Sequence, residues 1–267
     1  MNTYISRICL VILLSVPLVV KGQDKTEYVN DNMQVTDSAH ATRYYFYTKD
    51  SSGYKVKLFR LNDDELLMKG YATAPDTAHF DGKFVFYKDG FKSKEGNFEN
   101  SRCTGQWTHY YDTSDKVWYT ERYSYNHRIE SLNSYYKNGQ QKRKELFNTA
   151  GAAFGNCYDE QGKEIPFTPF VISPRLPAGF DFDKFLHKNL HYPYDAQQRK
   201  LMAKVIVEFT VAATGDITNV TVSKFIGYGF DDEAIRVVKL MPKCEPARVD
   251  DQPVTMQFGK TIIFQLK

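Results

Sequence analysis

YPYDAQQRKLMAKVIVEFTVAATGDITNVTVSK, residues 192–224, is the stretch from which the fold class can be read. Val205, Val207, Phe209 and Val211 alternate with Ile206, Glu208 and Thr210, the period-two pattern of a strand with one buried face. Thr214-Gly215-Asp216 reads as a turn, and Ile217 to Lys224 as the returning strand. Upstream, Phe182, Phe185, Leu186 and Leu190 share one helical face. Tyr192-Pro193 then interrupts, and a second short helical stretch follows over 195–201. Downstream, Phe230, Ala234, Val237, Val238 and Met241 form an apolar stripe at helical spacing, ended by Pro242. A closing strand follows, with Val254, Met256, Phe258, Ile262, Phe264 and Leu266 on one face and Thr261, Ile263 and Gln265 on the less buried one. The order is α-β-β-α-β.

Further out, Pro166, Pro169, Pro174 and Pro177 are too dense for a helix or central strand and mark 166–180 as a linker with extended stretches. Before it the chain repeats itself. FVFYKDG (84–90), THYYDTS (108–114) and NSYYKNG (133–139) each join an aromatic pair to a polar turn, placing Tyr87, Tyr111 and Tyr136 at intervals of 24 and 25 residues. Each is followed by a second mark ending at Phe98, Tyr123 or Phe147, so each unit is two short strands. Asp89-Gly90 and Asn138-Gly139 are hairpin turns, because these residues tolerate the positive φ a tight turn needs. Segments 57–71 and 157–165 read as a degenerate first unit and a truncated last one. With 15% aromatic residues, the expectation is one extended antiparallel sheet built on aromatic cross-strand pairs. The fold class is therefore α+β, an antiparallel β-repeat sheet over 23–165 followed by an αββαβ domain over 181–267.

The repeats resemble MORN-type repeats, in the variant found in YwqK-like antitoxins. Residues 192–224, FDDEAIRVVKLMP (230–242) and PVTMQFGKTIIFQL (253–266) together resemble the C-terminal domain of TonB, with Tyr192-Pro193 before Ala196, a Gly215 hairpin and Glu233-Ala234 before Arg236. Two positions depart from that pattern, Ala203 where a glycine opens the first strand and Cys244-Glu245-Pro246-Ala247 where an aromatic-x-Pro-Gly element stands. The loop from Pro242 to Pro253 is thus expected to differ. The resemblance implies binding without catalysis: an accessible sheet edge accepts an extended peptide of an outer-membrane TonB-dependent receptor as an added strand. It assigns that role to the closing strand from Val254 to Leu266, with Val254, Met256, Thr261, Ile263 and Gln265, and to the Tyr192-Pro193 motif. Covering of this strand by its own chain or in a homodimer stays open.

The N-terminus reads as an export signal over 1–22. Arg7 flanks a 13-residue apolar run from Ile8 to Val20, and cleavage is expected before Gln23. The run falls short of the ~20 residues of a membrane-spanning helix. Cleavage implies a periplasmic protein, and retention an inner-membrane anchor able to meet the ExbB and ExbD motor. The alternative to energy transduction is a stand-alone envelope scaffold. After cleavage Cys103, Cys157 and Cys244 remain, with no C-x-x-C spacing and at most one disulfide among them. The net charge of +3 is spread along the chain, which argues against a nucleic-acid partner.

No G-x-S-x-G, P-loop or dinucleotide fingerprint is present, and no enzyme or cofactor is expected. His187 and His191 have the i, i+4 spacing of a helical metal pair but lack a zincin glutamate or a clear third ligand, so they read as a solvated helix face. Asp231, Asp232 and Glu233 open a helix, where the macrodipole alone accounts for carboxylates.

Overall fold

The computed structural model describes residues 24–148 and 151–266. The expected export signal lies outside the described residues. The protein is mostly β, 49% strand and 11% helix, with a long antiparallel sheet and a small C-terminal α/β region. The chain divides into two compact units between Gly139 and Gln140.

In the first unit nine strands follow one another as an antiparallel meander: β1 (Asp24–Val29), β2 (Arg43–Lys49), β3 (Tyr54–Arg60), β4 (Leu66–Ala72), β5 (Gly82–Lys88), β6 (Phe91–Glu99), β7 (Arg102–Tyr110), β8 (Val117–Ser124) and β9 (His127–Tyr135). The Asp89-Gly90 turn closes β5 onto β6 with both residues at positive φ, 51° and 77°, as its composition requires. Alternate residues fill one face, where Tyr45, Tyr47, Val56, Leu58, Met68, Phe80 and Phe84 form the core. The aromatic series continues across the strands by edge contacts, Phe84 to Phe98 at 4.9 Å and Phe98 to Trp107 at 5.2 Å between centroids. Gly96 makes the last contact possible. A Cβ there would lie inside the Trp107 ring, so the glycine of the EGNF element is a slot for the indole of the next strand.

The second unit starts with β10 (Gln141–Phe147), β11 (Ala153–Tyr158) and β12 (Glu164–Ile165), again antiparallel. Next come β13 (Val171–Ile172), α1 (Phe182–Asn189), α2 (Tyr194–Gln198), β14 (Ala203–Val211), β15 (Ile217–Val222) and α3 (Phe230–Lys239). β16 (Ala247–Val249), β17 (Gln252–Val254) and β18 (Met256–Phe264) complete the chain. The αββαβ order holds, with strands arranged β15-β14-β18. The buried face of β14 meets α3 in one core of Val205, Val207, Phe209, Val211, Phe230, Ala234, Val237, Val238, Ile262 and Phe264, against which Phe182, Phe185 and Leu186 of α1 pack. Each fully buried Val, Ile or Phe among them contributes about 1.5–3 kcal/mol through burial.

Two segments carry more regular structure than the sequence reading assigned to them. The loop from Pro242 to Pro253 contains a hairpin, β16–β17, turning at Asp250-Asp251, both at positive φ. The segment 166–180, expected as a linker, adds β13 to that hairpin and buries Phe170, and a bridge joins Arg175 to Glu245. Prolines exclude helix, but they do not prevent an extended segment from edging a small sheet.

A buried charged cluster ties β10 to this hairpin. Arg143, 1% exposed, donates to the Thr168 carbonyl at 2.8 Å, to Asp250 Oδ1 at 2.5 Å and to Asp251 Oδ1 at 3.2 Å. Lys142 reaches Asp250 at 3.1 Å and Asp251 at 2.9 Å, and the Phe170 N–H donates to Glu145. Burial works against the charge on Arg143, but the two carboxylates outweigh it and hold the guanidinium above its ordinary pKa.

Candidate functional site

β14 lies at the centre of its sheet, which leaves β15 and β18 as edges. The two edges differ. β15 has six residues, a register irregularity opposite Glu208 to Thr210, and Asn219 at φ 50°. β18 pairs with β14 continuously from Met256–Val211 to Phe264–Ala203. Bulges and bends are devices that blunt an edge, and β18 has neither, nor a proline.

The hydrogen-bond phase of β18 follows from the opposite side of β14. The Ser223 N–H donates to the Ile206 carbonyl at 3.0 Å, so Ile206 turns its main-chain groups towards β15. In an antiparallel sheet these directions alternate, so Val205, Val207 and Phe209 turn theirs towards Ile262, Lys260 and Phe258. By the same alternation Gln257, Gly259, Thr261 and Ile263 direct their N–H and C=O groups outward. The side chains of Gln257 and Ile263 are exposed and that of Thr261 is half-buried, whereas Ile262 and Phe264 are buried in the core. Lys260 is the one charged residue of the strand, and its Nζ lies 5.0 Å from the Phe182 ring centroid on the helix side.

The seven residues singled out from the sequence are therefore distributed unequally. Thr261 and Ile263 sit on the outward phase of β18, and exposed Gln265 lies just beyond its end. Met256 begins the strand on the inward phase, paired with Val211. Val254 does not belong to this strand. It ends β17, paired with Ala247, and Thr255 breaks the two apart while its hydroxyl accepts the Ala213 N–H. Tyr192 packs edge-on against Phe230 and Phe264, and its hydroxyl donates to the Leu201 carbonyl. Pro193 caps α2 and abuts Gly229. This pair braces α2 against α3 and the end of β18.

The other polar candidates also acquire local explanations. His191 lies beyond the end of α1, so it does not share a helix with His187, and among the described residues no group of three metal-ligating side chains occurs. The acidic start of α3 is more than a response to the helix dipole. Buried Asp231 accepts the N–H groups of Ile226 and Gly227 at 3.0 and 2.6 Å. Glu233 binds Arg236 and the His191 N–H. Burial opposes ionisation of Glu233, but these donors prevail and lower its pKa. Cys103, Cys157 and Cys244 are free thiols, and burial raises the pKa of Cys244.

Fold and edge together define a small α+β module presenting one long, regular strand edge. Residues 188–266 match the family model described as Gram-negative bacterial TonB protein C-terminal. The match spans α3 and all three strands of the sheet. No curated protein matches the chain. The match covers the C-terminal module alone, and that domain suggests a TonB-like role in the cell envelope. Among the described residues no helix is long and apolar enough to cross a membrane.

Proposed function

We propose that the protein binds the extended peptide of an outer-membrane TonB-dependent receptor by adding it as a fourth strand beside β18, within TonB-dependent transport. The carrying observation is the regular, bulge-free edge whose outward main-chain groups belong to Gln257, Gly259, Thr261 and Ile263. Main-chain hydrogen bonds would supply affinity, and the alternating Thr261, Ile263 and Gln265 side chains selectivity. The module acts by binding, without catalysis. Titrating the protein with receptor-derived peptides and following amide shifts tests this: perturbations should concentrate on 256–264, and their absence there with every such peptide refutes it.

On this reading export delivers the protein to the periplasm with cleavage before Gln23, and the repeat unit serves as a spacer or second binding surface. The brevity of the Ile8 to Val20 run favours a second reading, a stand-alone envelope scaffold without energy transduction. Sequencing the mature N-terminus separates them. A chain starting at Gln23 cannot itself contact an inner-membrane ExbB and ExbD motor, whereas retention of the run supports coupling.

A further inference from the structure

Among the described glycines, Gly259 in β18 is the one that the fold itself does not require. Every other either holds a positive φ or has a neighbour that a Cβ would strike, as at Gly70 against the Phe84 ring and Gly96 against the Trp107 ring. At Gly259 neither condition applies. Its φ lies outside the left-handed region, and the pairing of β18 with β14 runs through it without a bulge. An added Cβ would meet only the Val207 carbonyl oxygen at 3.5 Å, an ordinary contact. A glycine inside a strand weakens it. Where no bulge, bend or internal crowding calls for one, it marks a place that another chain approaches closely.

The surroundings of this bare backbone say what would cover it. Gly259 stands on the outward hydrogen-bonding phase, and its face of the sheet is the one opposite the buried Ile262 and Phe264. Its pairing partner on β14 is Glu208, and Ile206, paired with Thr261, is next along the same face. Both are exposed, Ile206 by 47%. Glu208 Oε1 accepts the Ser223 hydroxyl at 2.7 Å, which leaves Oε2 without a partner among the described residues. A peptide side chain facing Gly259 therefore meets no side chain in front of it. It can lie across the backbone, cover Ile206 and end at Glu208, one strand spacing of about 4.8 Å further on. A flat ring fits this space: an aromatic side chain packed over a cross-strand glycine on an edge strand restores the contacts that the missing side chain forfeits. A phenolic O–H would in addition donate to Glu208 Oε2. A short aliphatic group would leave the gap open, and a carboxylate would face Glu208.

We propose that the bound peptide presents an aromatic side chain to Gly259, tyrosine before phenylalanine, so that Gly259 and Glu208 set the sequence preference of the β18 edge. This rests on the strand-addition reading given under the proposed function. The test titrates the full chain with receptor-derived peptides in which one position at a time carries Ala, Phe, Tyr or Lys. A nitroxide at successive peptide positions, broadening the Gly259 amide most strongly when it faces it, fixes the position concerned. There Phe should bind about fivefold more tightly than Ala, the measure of a good cross-strand aromatic contact, and Tyr more tightly still. In the Gly259→Thr chain, where the gap is filled, both ratios should fall below about twofold. The thermal midpoint of that variant should rise, because a β-branched residue replaces glycine within a strand. Glu208→Val should remove the advantage of Tyr over Phe and retain that of Phe over Ala. Equal affinities at the facing position, a preference unchanged by Gly259→Thr, a lowered midpoint in that variant, or Lys binding more tightly than either aromatic residue would each overturn the proposal and leave strand addition standing. Binding of no peptide at all would refute strand addition and this proposal together.

Discussion

Replacing Arg143 with Met should destabilise the second unit sharply although Arg143 touches no part of the peptide edge. Its guanidinium is 1% exposed and bonds to Thr168, Asp250 and Asp251, with Asp250 itself 3% exposed. Removing one member of a buried ion pair typically costs 3–5 kcal/mol, because the other charge stays desolvated. Lys142, 3.1 Å from Asp250, remains as a partner, which sets the expectation near the lower end, about 3 kcal/mol. The methionine keeps the packing volume, so the loss reports charge and not a cavity. Hydrogen exchange read by mass spectrometry on peptides covering 141–147, 153–158 and 247–254 gives the opening free energy locally. Exchange there should accelerate roughly 150-fold, the equivalent of that loss. Asp250→Asn should be costly alone but add little to Arg143→Met, with a coupling of about 1.5 kcal/mol or more. An acceleration below about fivefold, or additive effects of the two substitutions, would refute the view that this cluster clamps β10 to the β16–β17 hairpin.

Thr261→Pro removes an N–H on the outward phase while sparing the bonds to β14, so it should weaken receptor-peptide binding about tenfold or more, read by calorimetry, with the thermal transition shifted only slightly. Gly96→Ala drives a methyl into the Trp107 ring and should cost about 1–3 kcal/mol in urea unfolding, with a change in native tryptophan emission. The second unit should lose stability under acid. The pKa of Asp251 is lowered because Lys142 and Arg143 overcome its burial, and that of Glu233 is lowered by Arg236 against its burial. The folded state then holds these protons more weakly than the unfolded chain, so the contribution is complete above the ordinary carboxylate range near pH 4 and is lost as pH falls through the lowered values. Unfolding midpoints equal at pH 6 and pH 3 would contradict this.

Much of the second unit was legible because its signals are local. Alternation from Val205 to Val211, the Gly215 turn and the Phe230 stripe each encode one element within a few residues, and the same pattern assigned the inner and outer faces of β18. The repeat spacing likewise revealed strand pairs in the first unit, since an Asp-Gly turn dictates its own hairpin. The start of the edge strand was less readable. Val254 and Met256 share a parity, and only the pairing of Val254 with Ala247 assigns them to different sheets.

What the sequence determined by itself was the main helices and strands of the C-terminal module, their buried faces and its family resemblance, with the paired strands of the repeats, all consequences of periodicity and turn chemistry acting over short range. What only the tertiary structure decided was which strands lie at the edges of the sheet, where Tyr192 and Pro193 pack, and how Arg143 finds Asp250, 107 residues away. Such pairings depend on where folded elements meet in space. No spacing along the chain encodes them, because an ion pair of that separation forms only after the two hairpins carrying it have been brought together by packing.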